Sequence, residues 1–150
     1  MKFLTLLRLE KKKYKKLFGA CYDTLRMTIT GQEFEQLVAE AIDAIPKKYF
    51  DKLQNVAFVV EDEPTAEQRQ KLGLGRGQSL YGLYEGIPLT QRGANYSLVL
   101  PDKITIFKKP MEASSQSLED LREQVGRTVW HEVAHYYGLD HARIHELEQY

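Results

Sequence analysis

Hydrophobic residues follow a helical repeat in two long segments of the chain. In the first segment they recur at three- and four-residue spacings from Phe34 to Ile45, which places them on one face of a helix. Thr30 and Glu33 precede this run with the spacing of a capping box, and Pro46 follows it. The pattern predicts an amphipathic helix between the capping box and the proline.

The second helical segment begins at Ser117 and extends toward the C-terminus. Ser117 is a favourable N-cap residue, and Glu119 and Asp120 in the first turn stabilise the helix dipole. The apolar positions that follow at helical spacing are Leu118, Leu121, Val125, Val129 and Val133. These residues predict one long helix with a single buried stripe.

Between the two helices the apolar residues form short runs that are typical of strands. The predicted strands are Val56–Val60, Leu80–Glu85 and Ile104–Phe107, with a further candidate at Ser97–Leu100. A short helix is predicted around Tyr49 to Leu53. Three glycines from Gly73 to Gly77 predict a loop, although their spacing fits no phosphate-binding motif.

Length and composition favour one compact domain. The chain has 150 residues, 43% of them hydrophobic and 28% charged, and no run approaches the 18 apolar residues of a membrane span. Cys21 is the one cysteine, so no intrachain disulfide can form. These features predict a cytoplasmic protein that does not associate with a membrane.

The formal net charge of zero conceals an uneven distribution. Residues 1–26 contain eight basic and two acidic side chains, whereas residues 27–150 contain 13 basic and 19 acidic ones. We therefore predict a basic N-terminal extension, 1–26, that is dispensable for folding, followed by a domain that spans 27–150. The acidic domain is a poor partner for phosphate backbones, which disfavours nucleic-acid binding.

All four histidines lie in the last twenty residues. His131 and His135 are one helical turn apart, so both imidazoles face the same side of the predicted helix. Two imidazoles in this arrangement suit a tetrahedral zinc ion. Glu132 lies about 100° around the helix from His131, where a carboxylate can serve as a general base without binding the metal.

A third ligand requires the helix to end before His141. Gly138 can adopt the left-handed conformation that terminates a helix, and the chain can then turn back so that His141 completes the site. The full pattern, H-E-x-x-H-x-x-G-x-x-H, is typical of metzincin peptidases. Asp140 remains an alternative third ligand, or a residue that orients a ligand. His145 is interpreted as an exposed helix residue.

From Met27 onward the chain resembles the bacterial family of minimal zincin-like metallopeptidases. The segments that carry the resemblance are Gln32–Val38, Asn55–Pro64, Leu83–Leu89, Leu100–Ile106 and Thr128–Gly138. The resemblance implies an α+β fold in which a small mixed sheet packs on an N-terminal helix and a long active-site helix. It also implies Zn²⁺ as cofactor and hydrolysis of an unidentified peptide or protein.

Two alternative functions remain open at this stage. Members of the zincin-like family often have an acidic residue at the position of His141, so the resemblance supports His131 and His135 as ligands more directly than it supports His141. The histidine spacing also resembles that of bacterial rRNA-maturation endoribonucleases. Those enzymes usually have glycine at the position of Glu132. A non-catalytic, zinc-stabilised interaction module would need a fourth ligand, His145 or Glu146. For the peptidase, we expect the substrate to extend along an edge strand, either Leu80–Glu85 or Ile104–Phe107.

Overall fold

The computed structural model describes residues 28–93 and 100–148 of the chain. The predicted extension, 1–26, and nearly all of the predicted strand 97–100 lie outside these ranges. In chain order the elements are α1 (Gly31–Asp43), α2 (Lys47–Phe50), β1 (Val56–Glu61), α3 (Ala66–Lys71), β2 (Gly82–Glu85), a 3₁₀ helix (Leu89–Gln91), β3 (Asp102–Phe107), α4 (Lys108–Ser114), α5 (Leu118–Tyr136) and α6 (His141–Glu148).

The three strands form one mixed sheet in the order β1-β3-β2. β1 pairs with β3 in parallel, with Val56 opposite Asp102, and β2 pairs with β3 antiparallel, with Gly82 opposite Ile106. Because β3 lies in the middle, the prediction that a substrate could extend along Ile104–Phe107 is wrong. Among the described strands, β2 offers the edge beside the long helix α5.

Helices α1 and α5 pack against each other, and α5 also packs against β2 and β3. The core consists of the predicted apolar faces of both helices together with β3, and its most buried members include Phe34, Ile104, Ile106, Leu121, Val125, Val129 and Val133. The α+β fold is therefore confirmed. Leu118 is an exception in the predicted stripe, since it is 49% exposed at the first position of α5.

The local signals account for most helix boundaries. The Thr30 hydroxyl accepts a hydrogen bond from the Glu33 N–H, which completes the predicted capping box of α1. The short helix α2 starts directly after Pro46, two residues earlier than predicted. α3, α4 and the 3₁₀ helix were not predicted from the sequence. α3 carries its own capping box between Thr65 and Gln68, a signal that was present in the sequence.

Each helix within residues 28–93 and 100–148 is too short or too polar to span a lipid bilayer.

Candidate metal centre

Helix α5 holds two of the predicted ligands on the side opposite its buried stripe. Val129 and Val133 are fully buried against the core, so α5 has a fixed rotation about its axis. His131 and His135 consequently face outward and are half-buried, with ring centroids 4.8 Å apart. Packing of the apolar stripe thus orients both imidazoles toward the same space.

Gly138 ends α5 in the manner the sequence predicts. Its φ of 82° lies in the left-handed region. The Gly138 N–H donates to the His135 carbonyl at 2.9 Å, and the Leu139 N–H donates to the Ala134 carbonyl at 3.1 Å. These two hydrogen bonds form a Schellman motif, which reverses the chain immediately after the helix.

The reversal returns His141 to the two histidines of α5. Its ring centroid lies 5.2 Å from that of His131 and 4.6 Å from that of His135. His131 Nε2 and His141 Nδ1 are 3.2 Å apart, and one ligand nitrogen from each of the three rings falls within 4.8 Å of the others. Nitrogens that share a tetrahedral zinc are about 3.4 Å apart, so this donor set fits zinc with small side-chain adjustments.

The tautomer of His135 is fixed by a backbone contact. Its Nδ1 lies 2.9 Å from the Leu139 carbonyl oxygen, which can only accept, so Nδ1 carries the hydrogen. Nε2 is therefore the nitrogen left to bind a metal. Burial lowers the pKa of His135, with the Leu139 hydrogen bond opposing that shift, and a neutral imidazole is the form that binds metal ions.

The alternative ligands have other contacts. The Asp140 carboxylate accepts the Arg143 N–H at 2.8 Å, and the Asp140 carbonyl accepts the Ile144 N–H, so Asp140 caps α6. Glu146 forms an ion pair with the Arg143 side chain. The side chain of His145 lies outside the described part of the structure. The geometry thus groups His131, His135 and His141, and their role as ligands stays a prediction.

Glu132 is buried between α5 and the edge strand. It is 6% exposed, and burial raises its pKa to about 7, while a backbone hydrogen bond from Tyr84 lowers it in part. Gly82 permits this placement, because a Cβ atom at that position would lie 2.7 Å from Glu132 Oε1 and from Thr128 Cγ2. β2 can therefore lie this close to α5 only because residue 82 has no side chain.

A cavity of about 760 Å³ opens between β2 and α5. Its floor carries the three histidines and Glu132, and its wall includes the apolar side chains of Leu72, Leu80 and Leu83. Toward the N-terminal part of α5 the lining continues with Gln124 and Arg127. The candidate catalytic groups thus lie in a cleft that can accept an extended chain.

Sequence reasoning missed a buried polar cluster next to the metal centre. Asp102 is 3% exposed, forms an ion pair with Arg92 and accepts a hydrogen bond from the Tyr84 hydroxyl at 2.6 Å. Burial, followed by the contact with Asp102, raises the pKa of Tyr84. The Arg92 guanidinium also lies over the ring of Tyr136, 4.6 Å from its centroid. The cluster joins β2, β3 and the last turn of α5.

The same cluster fixes the loop that covers the end of α5. Arg92 Nε donates to the Ile87 carbonyl at 2.9 Å, which closes the loop that contains the 3₁₀ helix. Thr90 in this loop packs against Gly138: a Cβ atom added to Gly138 would lie only 2.1 Å from the Oγ1 atom of Thr90. The turn that directs His141 is therefore held from outside as well as by its own hydrogen bonds. Only Asp102 at the start of an apolar strand hints at this arrangement in the sequence.

Replacing Gly138 by alanine is expected to weaken zinc binding by about tenfold to a hundredfold without removing a ligand. Alanine is strained at a φ of 82°, and its Cβ would collide with Thr90; strain of this kind costs about 1–3 kcal/mol. The measurement is a competition titration with a chromophoric zinc chelator. Gly126→Ala is the matched control, because Gly126 lies in α5 with open space around it. Equal zinc affinity in both variants would contradict the proposed role of the turn.

A family model described as zincin-like metallopeptidase matches residues 53–150. The match covers more than half of the chain and includes β1 to β3, the cleft and the three clustered histidines. The chain belongs to this family. α1, which contributed Gln32–Val38 to the predicted resemblance, lies outside the matched residues. No individual curated protein matches the chain closely enough to refine that assignment.

Proposed function

We propose that this protein is a zinc-dependent peptidase that hydrolyses peptide bonds in the cleft between β2 and α5. The observation that carries the proposal is the position of Glu132, a buried carboxylate one residue from His131 on the floor of the cleft. A site that only stabilises the fold has no use for such a carboxylate beside its ligands. Membership of the zincin-like family supports the same chemistry.

His131, His135 and His141 would hold the zinc ion. When bound, zinc supplies a Lewis acid that polarises the peptide carbonyl and lowers the pKa of water to about 7. Glu132 accepts the proton of the attacking water and later donates it to the leaving amine. An efficient general acid and base has a pKa close to the working pH, and burial raises the pKa of Glu132 in that direction.

The substrate would be an extended segment of a peptide or protein. β2 pairs with β3 on one side, and the cavity opens along β2, so backbone groups of a peptide can add to this strand. Leu72, Leu80 and Leu83 provide an apolar wall for its side chains. The cytoplasm remains our predicted location for this reaction.

The two alternatives have less support. An interaction module needs a fourth protein ligand, and Glu146, one of the two candidates, is instead paired with Arg143. An endoribonuclease needs cations for the phosphate backbone. Among the described residues that line the cavity, Arg127 is the one lysine or arginine.

We expect about one zinc ion per chain after reconstitution at neutral pH, as measured by metal analysis of dialysed protein. The same preparation should cleave members of a proteome-derived peptide library, and a chelator should abolish cleavage until zinc is restored. Labelled structured RNA serves as the parallel substrate. Absence of zinc would contradict the metal site, and cleavage of RNA but not of peptides would favour the endoribonuclease.

A further inference from the structure

Arg127 occupies a distinctive place in the cleft. It lies four residues before His131, so the two side chains share one face of α5, and it lines the same cavity as the histidines. Its side chain is exposed. Other cations near the sheet are paired, for example Lys103 with Glu85 and Lys108 with Glu112. Arg127 forms no ion pair with any described residue.

The position of Arg127 corresponds to a substrate residue close to the scissile bond. Four helical residues advance about 6 Å along the axis, and an extended peptide covers that distance in about two residues. β2 runs alongside α5 in the same direction, since Gly82 faces Glu132 and Tyr84 faces Tyr136. A peptide added to β2 would therefore pass Arg127 within about two residues of the cleaved bond.

We propose that Arg127 selects substrates with an acidic side chain, glutamate or aspartate, at this position. This inference rests on the proposed peptidase function and specifies its substrate class. The guanidinium offers five donors in a planar fork that matches a carboxylate. Leu80 and Leu83 in the same cavity can pack against the aliphatic part of a glutamate side chain.

The net negative charge of the domain repels an acidic substrate, but this long-range repulsion is weaker than the local attraction to Arg127. Residues 27–150 carry a formal charge of −6, but charges farther away than about 8 Å are largely screened at physiological ionic strength. Glu132 and Asp140 are the acidic groups that line the cavity. Both lie on the C-terminal side of Arg127: Glu132 is buried at the histidines, five residues beyond Arg127, and Asp140 caps α6.

The test compares the parent protein with Arg127→Glu and Arg127→Gln in two assays. In the first, a proteome-derived peptide library is digested by zinc-loaded protein and the residues around each cleaved bond are counted. In the second, zinc-loaded protein that carries Glu132→Gln is immobilised, and bound members of a random octapeptide library are sequenced. The binding assay does not require catalysis. Arg76→Glu, an exposed site outside the cavity, is the control for net charge.

We expect the parent and the Arg76→Glu control to enrich acidic residues about fivefold at one position within two residues of the cleaved bond. Arg127→Gln should remove this enrichment, and Arg127→Glu should replace it by enrichment of lysine and arginine. The inference would be overturned if the acidic preference persisted in Arg127→Glu. It would also be overturned if immobilised Glu132→Gln protein with Arg127 intact showed no preference for acidic peptides. Selective binding without any cleavage would support the role of Arg127 and count against the peptidase function.

Discussion

Peptide hydrolysis is expected to fall by about 10²–10⁴-fold in Glu132→Gln while zinc remains bound. Glutamine keeps the size of the side chain and removes the group that accepts the proton of the attacking water. The three histidines are unchanged, so zinc content should match that of the parent. Because burial disfavours the charged form of Glu132, the neutral amide should also leave the protein folded. The measurements are the initial rate on a cleaved peptide and the zinc content of the same sample.

The matched control for this substitution is Glu123→Gln. Glu123 lies in the same helix, is exposed and does not line the cavity, so its variant should retain full activity. If Glu132→Gln also remained fully active, the carboxylate would not be the base. The proposed mechanism would then be wrong, and a site that works without a carboxylate, as in the endoribonuclease interpretation, would explain the cluster better.

Removal of a predicted ligand should reduce zinc binding as well as activity. His135→Ala is expected to weaken zinc binding by more than about a hundredfold, with activity lost in parallel, because the imidazole is held in place by α5 and by the Leu139 carbonyl. Competition titration against a zinc chelator gives the affinity. Near-normal affinity would show that the zinc is bound elsewhere.

His141→Ala addresses the third ligand separately. A loss comparable to that of His135→Ala is expected, since the His141 ring lies against both other rings. Asp140→Asn keeps a side chain that can cap α6 and should bind zinc almost normally. The reverse result would transfer the ligand role to Asp140. His145→Ala should have little effect, and a large effect would favour the closed site of an interaction module.

The features that the sequence predicts correctly depend on neighbours along the chain. The α1 capping box, the stripe of α5 and the end of α5 at Gly138 are all set by residues within one or two turns. His131 and His135 converge for the same reason. To predict that His141 returns to these two histidines, it was enough to recognise that Gly138 reverses the chain.

The features that were missed depend on contacts between distant segments. The order of the strands decides that β2 and not β3 faces the cleft, and no local pattern encodes it. The pairing of Arg92 with Asp102 joins a loop to the start of a strand, ten residues apart. Gly82 has an unremarkable sequence context, and its importance is apparent only when α5 lies against it.

The bare backbone at Gly82 also limits how this cleft can be redesigned. Any side chain at that position would collide with Glu132, so a library for altered cleavage preference loses every variant in which residue 82 is changed. Diversity is better placed at Leu72, Leu80 and Leu83, which line the cavity and are only partly buried or exposed. Beside α5, residue 82 is therefore fixed by the close backbone contact, whereas Leu80 and Leu83 on either side of it can be varied to change the specificity of the proposed peptidase.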